Sequence, residues 1–84
     1  MPRFFFDLHD DMDVADQEGI DLPDRAAAQT HGLNEAREMI CASVSEQGRV
    51  DLEHHIDIRD GSGALLSRVT FAEAVQFVRK GAGV

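Results

Sequence analysis

The residues best suited to chemistry are carboxylates crowded into one short segment. Eight of the sixteen acidic residues lie between Asp7 and Asp24, and no Lys or Arg interrupts them. Hard cations such as calcium and magnesium bind carboxylate oxygens, so a cation site is one interpretation. The spacing does not fit an EF-hand loop, because a loop starting at Asp11 has Ala15 at its fifth position and Asp16 where glycine is required. A solvated acidic loop is favoured.

Histidines suggest a second metal site. His9 and His55 are both predicted to face the side of a sheet that a helix leaves open, where they could bind zinc together with loop carboxylates. His54 and His55 are adjacent and point to opposite sides of a strand, so they cannot chelate one ion together. The more ordinary interpretation places His54 in the core or at its rim and His55 at the surface. We therefore assign no metal ligand, and a metal-dependent activity ranks third among the functional alternatives.

Motifs for nucleophilic or phosphate chemistry are missing from the sequence. No serine lies in a G-x-S-x-G elbow, and Gly61 and Gly63 precede a predicted strand, which is typical of a hairpin turn and not of a phosphate loop. The single cysteine, Cys41, is predicted to be a small buried hydrophobe within a helix. The sequence thus predicts no catalytic residue and no cofactor, and it favours a protein that is not an enzyme.

Charge is distributed unevenly along the 84 residues. Residues 1–48 hold three basic and eleven acidic side chains, whereas residues 49–84 hold five of each, so the first half carries the formal net charge of −8. Nucleic-acid affinity rests on clustered Lys and Arg, so we expect no direct binding to DNA or RNA. No apolar run approaches the ~20 residues of a bilayer span, and no secretory signal is evident, so we expect a cytoplasmic protein without membrane contact.

The first predicted element is an aromatic strand at Arg3–Leu8. Alternation places Phe5 on one face and three apolar side chains on the core face: Phe4, Phe6 and Leu8. Residues 14–20 are expected to add at most a short second strand that ends near Gly19.

A long helix is predicted over Arg25–Glu46. Asp24 is its expected N-cap, and Gly48 is expected to end it in a left-handed conformation. Gly32 inside the helix indicates close packing against the sheet or a local weakness. Intervals of three and four residues predict one apolar stripe, formed by Ala26, Thr30, Leu33, Ala36 or Arg37, Ile40 and Val44.

A hairpin and a short helix are predicted to complete the fold. Leu52–Arg59 alternates cleanly, the turn Asp60–Gly63 follows, and Ala64–Val69 forms the returning strand. In that strand Leu65 and Val69 are expected to face the core, with Leu66 and Arg68 on the opposite face. Thr70 to Glu73 matches a capping box that opens a helix running to about Lys80, with a buried side formed by Phe71, Ala74, Val75 and Val78.

The element order β-(β)-α-β-β-α predicts an α+β fold. It comprises a mainly antiparallel sheet of three to four strands, one long helix across one face and a short C-terminal helix. The length suits one hydrophobic core, so residues 1–80 are expected to form one domain and residues 81–84 a frayed tail.

The side of the sheet that the long helix leaves uncovered is predicted to take part in protein interaction. Phe5 and Leu66 are the expected apolar contacts, with Arg68 and His55 beside them, and aromatic and Arg side chains are enriched at interfaces. The favoured function is a small non-enzymatic interaction module. Two partners stay open, namely a second copy of the chain in a homodimer and a basic protein that meets the acidic half.

Three segments carry a resemblance to known proteins: PRFFFDLHD at residues 2–10, LPD at residues 22–24 and IDIRDGSG at residues 56–63. They resemble a family of short alphaproteobacterial proteins classed only as a domain of unknown function, and this resemblance implies no catalytic residue. A fainter likeness is to HicB-type antitoxins, which neutralise a small basic ribonuclease by covering it. That likeness implies an alternative function, an antitoxin-like inhibitor of a small basic protein.

Overall fold

The computed structural model describes residues 1–81 and has the predicted α+β architecture, so most of the tail predicted at residues 81–84 lies outside the described residues. One antiparallel sheet of five strands is covered on one face by a long helix. The elements are β1 (Arg3–His9), β2 (Asp13–Val14), β3 (Ile20–Asp21), α1 (Arg25–Gln47), β4 (His55–Arg59), β5 (Leu65–Thr70) and α2 (Phe71–Ala74).

Instead of the one short strand expected within residues 14–20, two separate two-residue strands lie along one edge of β1. β2 pairs with Leu8 and His9, and β3 pairs with Arg3 and Phe4, both antiparallel. The other edge of β1 pairs with β4, which pairs in turn with β5, giving the order β2-β1-β4-β5 with β3 also on β1. Residues 15–19 leave the sheet between the two short strands, because this acidic segment forms a turn instead of continuing the ladder.

Helix α1 begins and ends as predicted. The carboxylate Oδ1 of Asp24 accepts a hydrogen bond of 2.8 Å from the Ala27 amide. At the other end, Gly48 adopts a left-handed conformation with φ of 67°, and its amide donates to the Val44 carbonyl. Both contacts satisfy backbone groups that would otherwise lack a partner at the helix ends.

Replacing Asp24 with alanine is expected to lower the free energy of unfolding by about 1 kcal/mol, because the Ala27 amide loses its acceptor. Urea denaturation followed by circular dichroism measures the change. Asp24→Asn is the matched control, since its side-chain oxygen can still cap the helix. Equal stability of the alanine and asparagine variants would contradict the capping role.

The face of α1 that meets the sheet differs from the predicted stripe. Its buried residues are Ala28, Gly32, Ala36 and Ile40, whereas three members of the predicted stripe are exposed: Ala26, Thr30 and Val44. Small side chains are buried because the helix lies very close to the sheet. A Cβ atom added to Gly32 would lie 2.9 Å from Cδ1 of Ile58. Cys41, predicted to be buried, is exposed because it lies outside this contact line.

The core lies between α1 and one face of the sheet. As predicted, the aromatic side chains of Phe4 and Phe6 face it, and Ile56, Ile58 and Val69 are almost completely buried. Leu52, expected in the same strand as Ile56, is exposed because β4 starts only at His55. Residues 52 and 53 form a turn that precedes the strand.

The prediction for Leu65 and Leu66 is wrong, because a β-bulge shifts the register. Ile58 pairs with Ser67, and Arg59 pairs with Leu65, so Leu66 is an extra residue in β5. As a result, Leu65 and Leu66 each lie on the face opposite to the one predicted. Leu66 packs against the core, whereas Leu65 shares the face of Arg59 and is 57% exposed.

The C-terminal helix is shorter than predicted. The capping box between Thr70 and Glu73 is present, with both reciprocal hydrogen bonds, but α2 ends at Ala74 and Val75 is extended. Val78, expected to be buried, is 66% exposed. β-branched and aromatic residues are weak helix formers, and short helices depend on tertiary packing that is lacking beyond Val75. Within residues 1–81, neither helix is long and apolar enough to cross a membrane.

Candidate functional site

The open sheet face, defined as the side of the sheet opposite α1, carries two buried aspartates. Asp7 on β1 and Asp57 on β4 lie directly across from each other, and their exposed fractions are only 9% and 8%. Arg59 donates two hydrogen bonds to Asp7, with Nη2 3.0 Å from Oδ1. Arg68 does the same for Asp57, with Nε 2.7 Å from Oδ1. Two fork-shaped pairs thus join β1, β4 and β5 across this face.

These contacts keep both carboxylates ionised. The hydrogen bonds from Arg59 hold the pKa of the Asp7 carboxyl below its ordinary value despite burial, which acts in the opposite direction. For Asp57, burial would raise the pKa, but the hydrogen bonds and charge of Arg68 outweigh it and lower the pKa. The face therefore presents fixed negative charge beneath its arginines.

Two histidines lie next to each other and both contact Asp57. His9 and His55 are direct partners in the pairing of β1 and β4, and their rings stack with centroids 4.8 Å apart and planes inclined by 22°. The Nε2 atom of His9 is 3.2 Å from Oδ2 of Asp57, and that of His55 is 3.7 Å from Oδ1. One ligand atom from each of the three residues lies within 4.8 Å of the others. We call these three residues the histidine cluster.

The outer nitrogen of each ring also has an oxygen partner. Nδ1 of His9 is 2.9 Å from Oδ1 of Asp13, at the start of β2. Nδ1 of His55 is 3.5 Å from the Glu53 carbonyl oxygen. The two nitrogens of each ring thus each have an oxygen within 3.7 Å, on Asp57 for Nε2 and on the outer partner for Nδ1.

His54 lies apart from this cluster, as its position next to His55 predicts. Its ring contacts Phe71 edge-on at a centroid distance of 5.7 Å, and its Nε2 atom is 3.4 Å from Asp51 and 3.5 Å from Asp11. It is half-buried, in agreement with the predicted place at the rim of the core.

An acidic groove is the second candidate site. It lies between the segment 14–18 and α1, with a volume of about 520 Å³. Three apolar side chains of the sheet line it: Phe6, Leu8 and Ile56. Val14 and Met39 add apolar walls, and the acidic lining residues are Asp16, Glu18 and Glu35. In the described part of the chain, no Lys or Arg lines this groove.

Asp16 shapes the groove by holding the segment 14–18 against β1. Its Oδ2 atom accepts a hydrogen bond of 3.1 Å from the Phe6 amide, in the gap between β2 and β3. Its Oδ1 atom accepts from the amides of Glu18 and Gly19, both at 3.1 Å, and its own amide donates to Asp7. The side chain of Asp16 thus replaces a strand partner that the turn has removed.

Glu35 in the groove is disfavoured in its charged form. Burial raises the pKa of the Glu35 carboxyl above its ordinary value, and the negative charges of Asp16 and Glu38 add to this effect. His31 opposes it, with Nε2 3.5 Å from Oε1 of Glu35. A cation placed in the groove would therefore stabilise the ionised form of Glu35.

Residues 3–72 match the family described as a domain of unknown function (DUF6894). The chain belongs to this family. The first of the two resemblances seen in the sequence is thereby confirmed. No curated protein and no solved structure matches it, and the likeness to HicB-type antitoxins finds no support.

The four predicted contact residues do not form one contact surface. Leu66 packs against the core instead of facing outward. Phe5 lies on the open sheet face, but its ring lies 5.4 Å from the Arg59 guanidinium carbon and close beside Gly19. Arg68 and His55 are on that face and both contact Asp57, so His55 is half-buried and not a simple surface residue.

Three functional candidates were missed in the sequence. Asp57 joins the histidine cluster, and Glu35 and Met39 line the acidic groove. Alternation does place Asp57 on the same face as His55, which was a usable signal. The two groove residues lie on α1, and no sequence spacing relates them to the segment 14–18.

Proposed function

We propose that this domain is a non-enzymatic interaction module that binds a basic segment of a partner protein in the acidic groove. The observation that carries the proposal is an apolar floor lined by carboxylates without a Lys or Arg among the described lining residues. A Lys or Arg side chain combines an apolar stem with a cationic head, so it complements both parts of such a groove.

Charge supports a basic occupant in two further ways. The formal net charge of −8 attracts a cationic partner at long range and raises the association rate at low salt. Within the groove, a bound cation would offset the unfavourable burial of the ionised Glu35 carboxylate. Since the pKa of Glu35 is raised, binding is expected to weaken at an acidic pH where an ordinary glutamate is still ionised.

A pair of labelled peptides tests the proposal. One peptide alternates leucine with arginine, and the other has the same leucines with glutamate in place of arginine. We expect the basic peptide alone to bind, as measured by fluorescence anisotropy, and to shift the amide resonances of residues 14–18 and of Met39. Binding that shifts only resonances on the open sheet face, or equal binding of the two peptides, would refute the groove as the site.

Charge reversal at Glu35 supplies the matched test on the protein side. Glu35→Lys is expected to weaken binding of the basic peptide by about tenfold or more, because it places a like charge beside the bound cation. Glu46→Lys is the control, since it makes the same change of charge on α1 outside the groove lining. An equal loss of affinity in both variants would show that net charge alone governs binding. An antitoxin-like inhibitor is one form of this function, and co-purification with a small basic protein encoded next to it would favour that form.

Self-association is a second candidate, favoured by the free edge of β5. Within residues 1–81, no strand pairs with the outer edge of β5, and Leu65 on that strand is strongly exposed. Pairing of two β5 strands would give a homodimer with one continuous sheet. Sedimentation at high protein concentration tests it. We expect a dimer that Leu65→Lys converts to a monomer and that Val44→Lys, on an exposed site of α1, leaves intact. A monomeric wild-type protein would exclude this candidate.

A further inference from the structure

We propose that the histidine cluster, formed by His9, His55 and Asp57, binds a divalent transition-metal ion of the zinc class on the open sheet face. The proposed site is on the opposite side of the sheet from the floor of the acidic groove. Its existence does not depend on a protein partner. The distances within the cluster and the contacts that orient its two rings support a metal site.

The ligand atoms are already near the spacing that zinc requires. Zinc-ligand distances of about 2.0–2.1 Å in a tetrahedral site place nitrogen and oxygen ligands about 3.3 Å apart. The Nε2 atoms of His9 and His55 lie 3.2 and 3.7 Å from oxygens of Asp57, and the three ligand atoms lie within 4.8 Å of one another. Because the two rings stack nearly parallel, both must rotate before their Nε2 lone pairs can converge on one ion.

The outer contacts of the rings match those of histidine metal ligands. A metal-bound histidine usually donates its other ring N–H to a carboxylate or a backbone carbonyl, which fixes the tautomer and the ring orientation. His9 has such a partner in Asp13, and His55 has one in the Glu53 carbonyl. Both rings are thereby oriented with Nε2 toward Asp57, from two different strands and through two different acceptors.

The ligand set selects the class of ion. Two imidazoles and one carboxylate suit zinc, cobalt and nickel, whereas calcium and magnesium prefer oxygen ligands. Three protein ligands leave a fourth position for water or for another molecule. Arg68 opposes the metal, because its guanidinium group is bound to the same Asp57 carboxylate. Replacing Arg68 should therefore strengthen metal binding.

Titration of tag-free, chelator-treated protein with zinc in a calorimeter tests the site. We expect one zinc ion per chain, and we expect cobalt to give the visible absorption of a four-coordinate ion. His9→Ala and His55→Ala should each weaken zinc binding by at least about tenfold, and Asp13→Asn by about 10–100-fold. His54→Ala and His31→Ala are matched controls that should bind like the wild type, because neither residue belongs to the cluster. Circular dichroism of each metal-free variant checks that it is folded.

Arg68→Gln separates a metal site from a purely structural set of ion pairs. We expect this variant to bind zinc more tightly than the wild type, because a competing cation has left Asp57. Failure of the folded wild-type protein to bind zinc would overturn the proposal. So would an equal loss of affinity in His54→Ala and His9→Ala, or zinc binding that Arg68→Gln leaves unchanged.

Discussion

Gly19→Ala is expected to lower the free energy of unfolding by about 2–5 kcal/mol. Gly19 has a φ of 69°, in the left-handed region that costs an alanine about 1–2 kcal/mol. An added Cβ atom would also lie 2.8 Å from the Arg3 side chain and 2.9 Å from the Phe4 carbonyl oxygen, and such overpacking costs about 1–3 kcal/mol. Urea denaturation followed by circular dichroism measures the loss.

Gly63→Ala is the control that isolates the close contacts. Gly63 also has a positive φ, of 88°, but a Cβ atom there would meet no other atom within 4 Å. Gly63→Ala should therefore lower the free energy of unfolding only by the cost of the left-handed backbone conformation, about 1–2 kcal/mol. If the two variants lose the same stability, the packing of residues 15–19 against β1 is not as tight as the structure shows.

Asp16→Ala is the second substitution with a large expected effect, a loss of about 2–3 kcal/mol at neutral pH. The carboxylate accepts hydrogen bonds from the amides of Phe6, Glu18 and Gly19, and its loss leaves these donors without their charged acceptor. Asp10→Ala is the matched control. Asp10 accepts one exposed bond, from the Met12 amide, so its loss should cost much less.

The contribution of Asp16 should depend on pH in a defined direction. Burial opposes ionisation of this carboxyl, but the three backbone amides outweigh it and hold its pKa below the ordinary value of 3.8. A lowered pKa contributes stability that is present above about pH 3.8 and lost as the pH falls through the folded-state pKa. The difference in unfolding free energy between wild type and Asp16→Ala should therefore be large at pH 7 and shrink in strong acid. A difference that persists undiminished in strong acid would contradict this account.

Local chemistry made much of the fold predictable from the sequence. Asp24, Gly48 and the capping box at Thr70 each satisfy a backbone group within their own turn, so no distant residue is needed to infer them. Strict alternation identified the core faces of β1 and β4. It also placed His9 and His55 on one face, where the pairing of the two strands brings them together.

The features that could not be predicted depend on contacts between distant elements. The bulge at Leu66 puts Leu65 and Leu66 on the faces of the sheet opposite to those predicted. Leucine is not a residue type that indicates a β-bulge. The buried line on α1 consists of small residues, because the distance between helix and sheet decides burial there and hydrophobicity does not. Hydropathy alone therefore favoured a different stripe. The acidic groove joins α1 to residues 14–18, and its existence depends on how a turn is held against β1.

The small buried side chains of α1 have a consequence for the dimensions of the acidic groove. Ala28, Gly32 and Ala36 act as spacers, and their size fixes how far the helical layer stands above the strands. Met39 and Glu35 belong to the same helix, so the depth of the groove depends on the size of these buried side chains. A change in the size of these buried residues would thus change the dimensions of the groove without altering any residue that lines it.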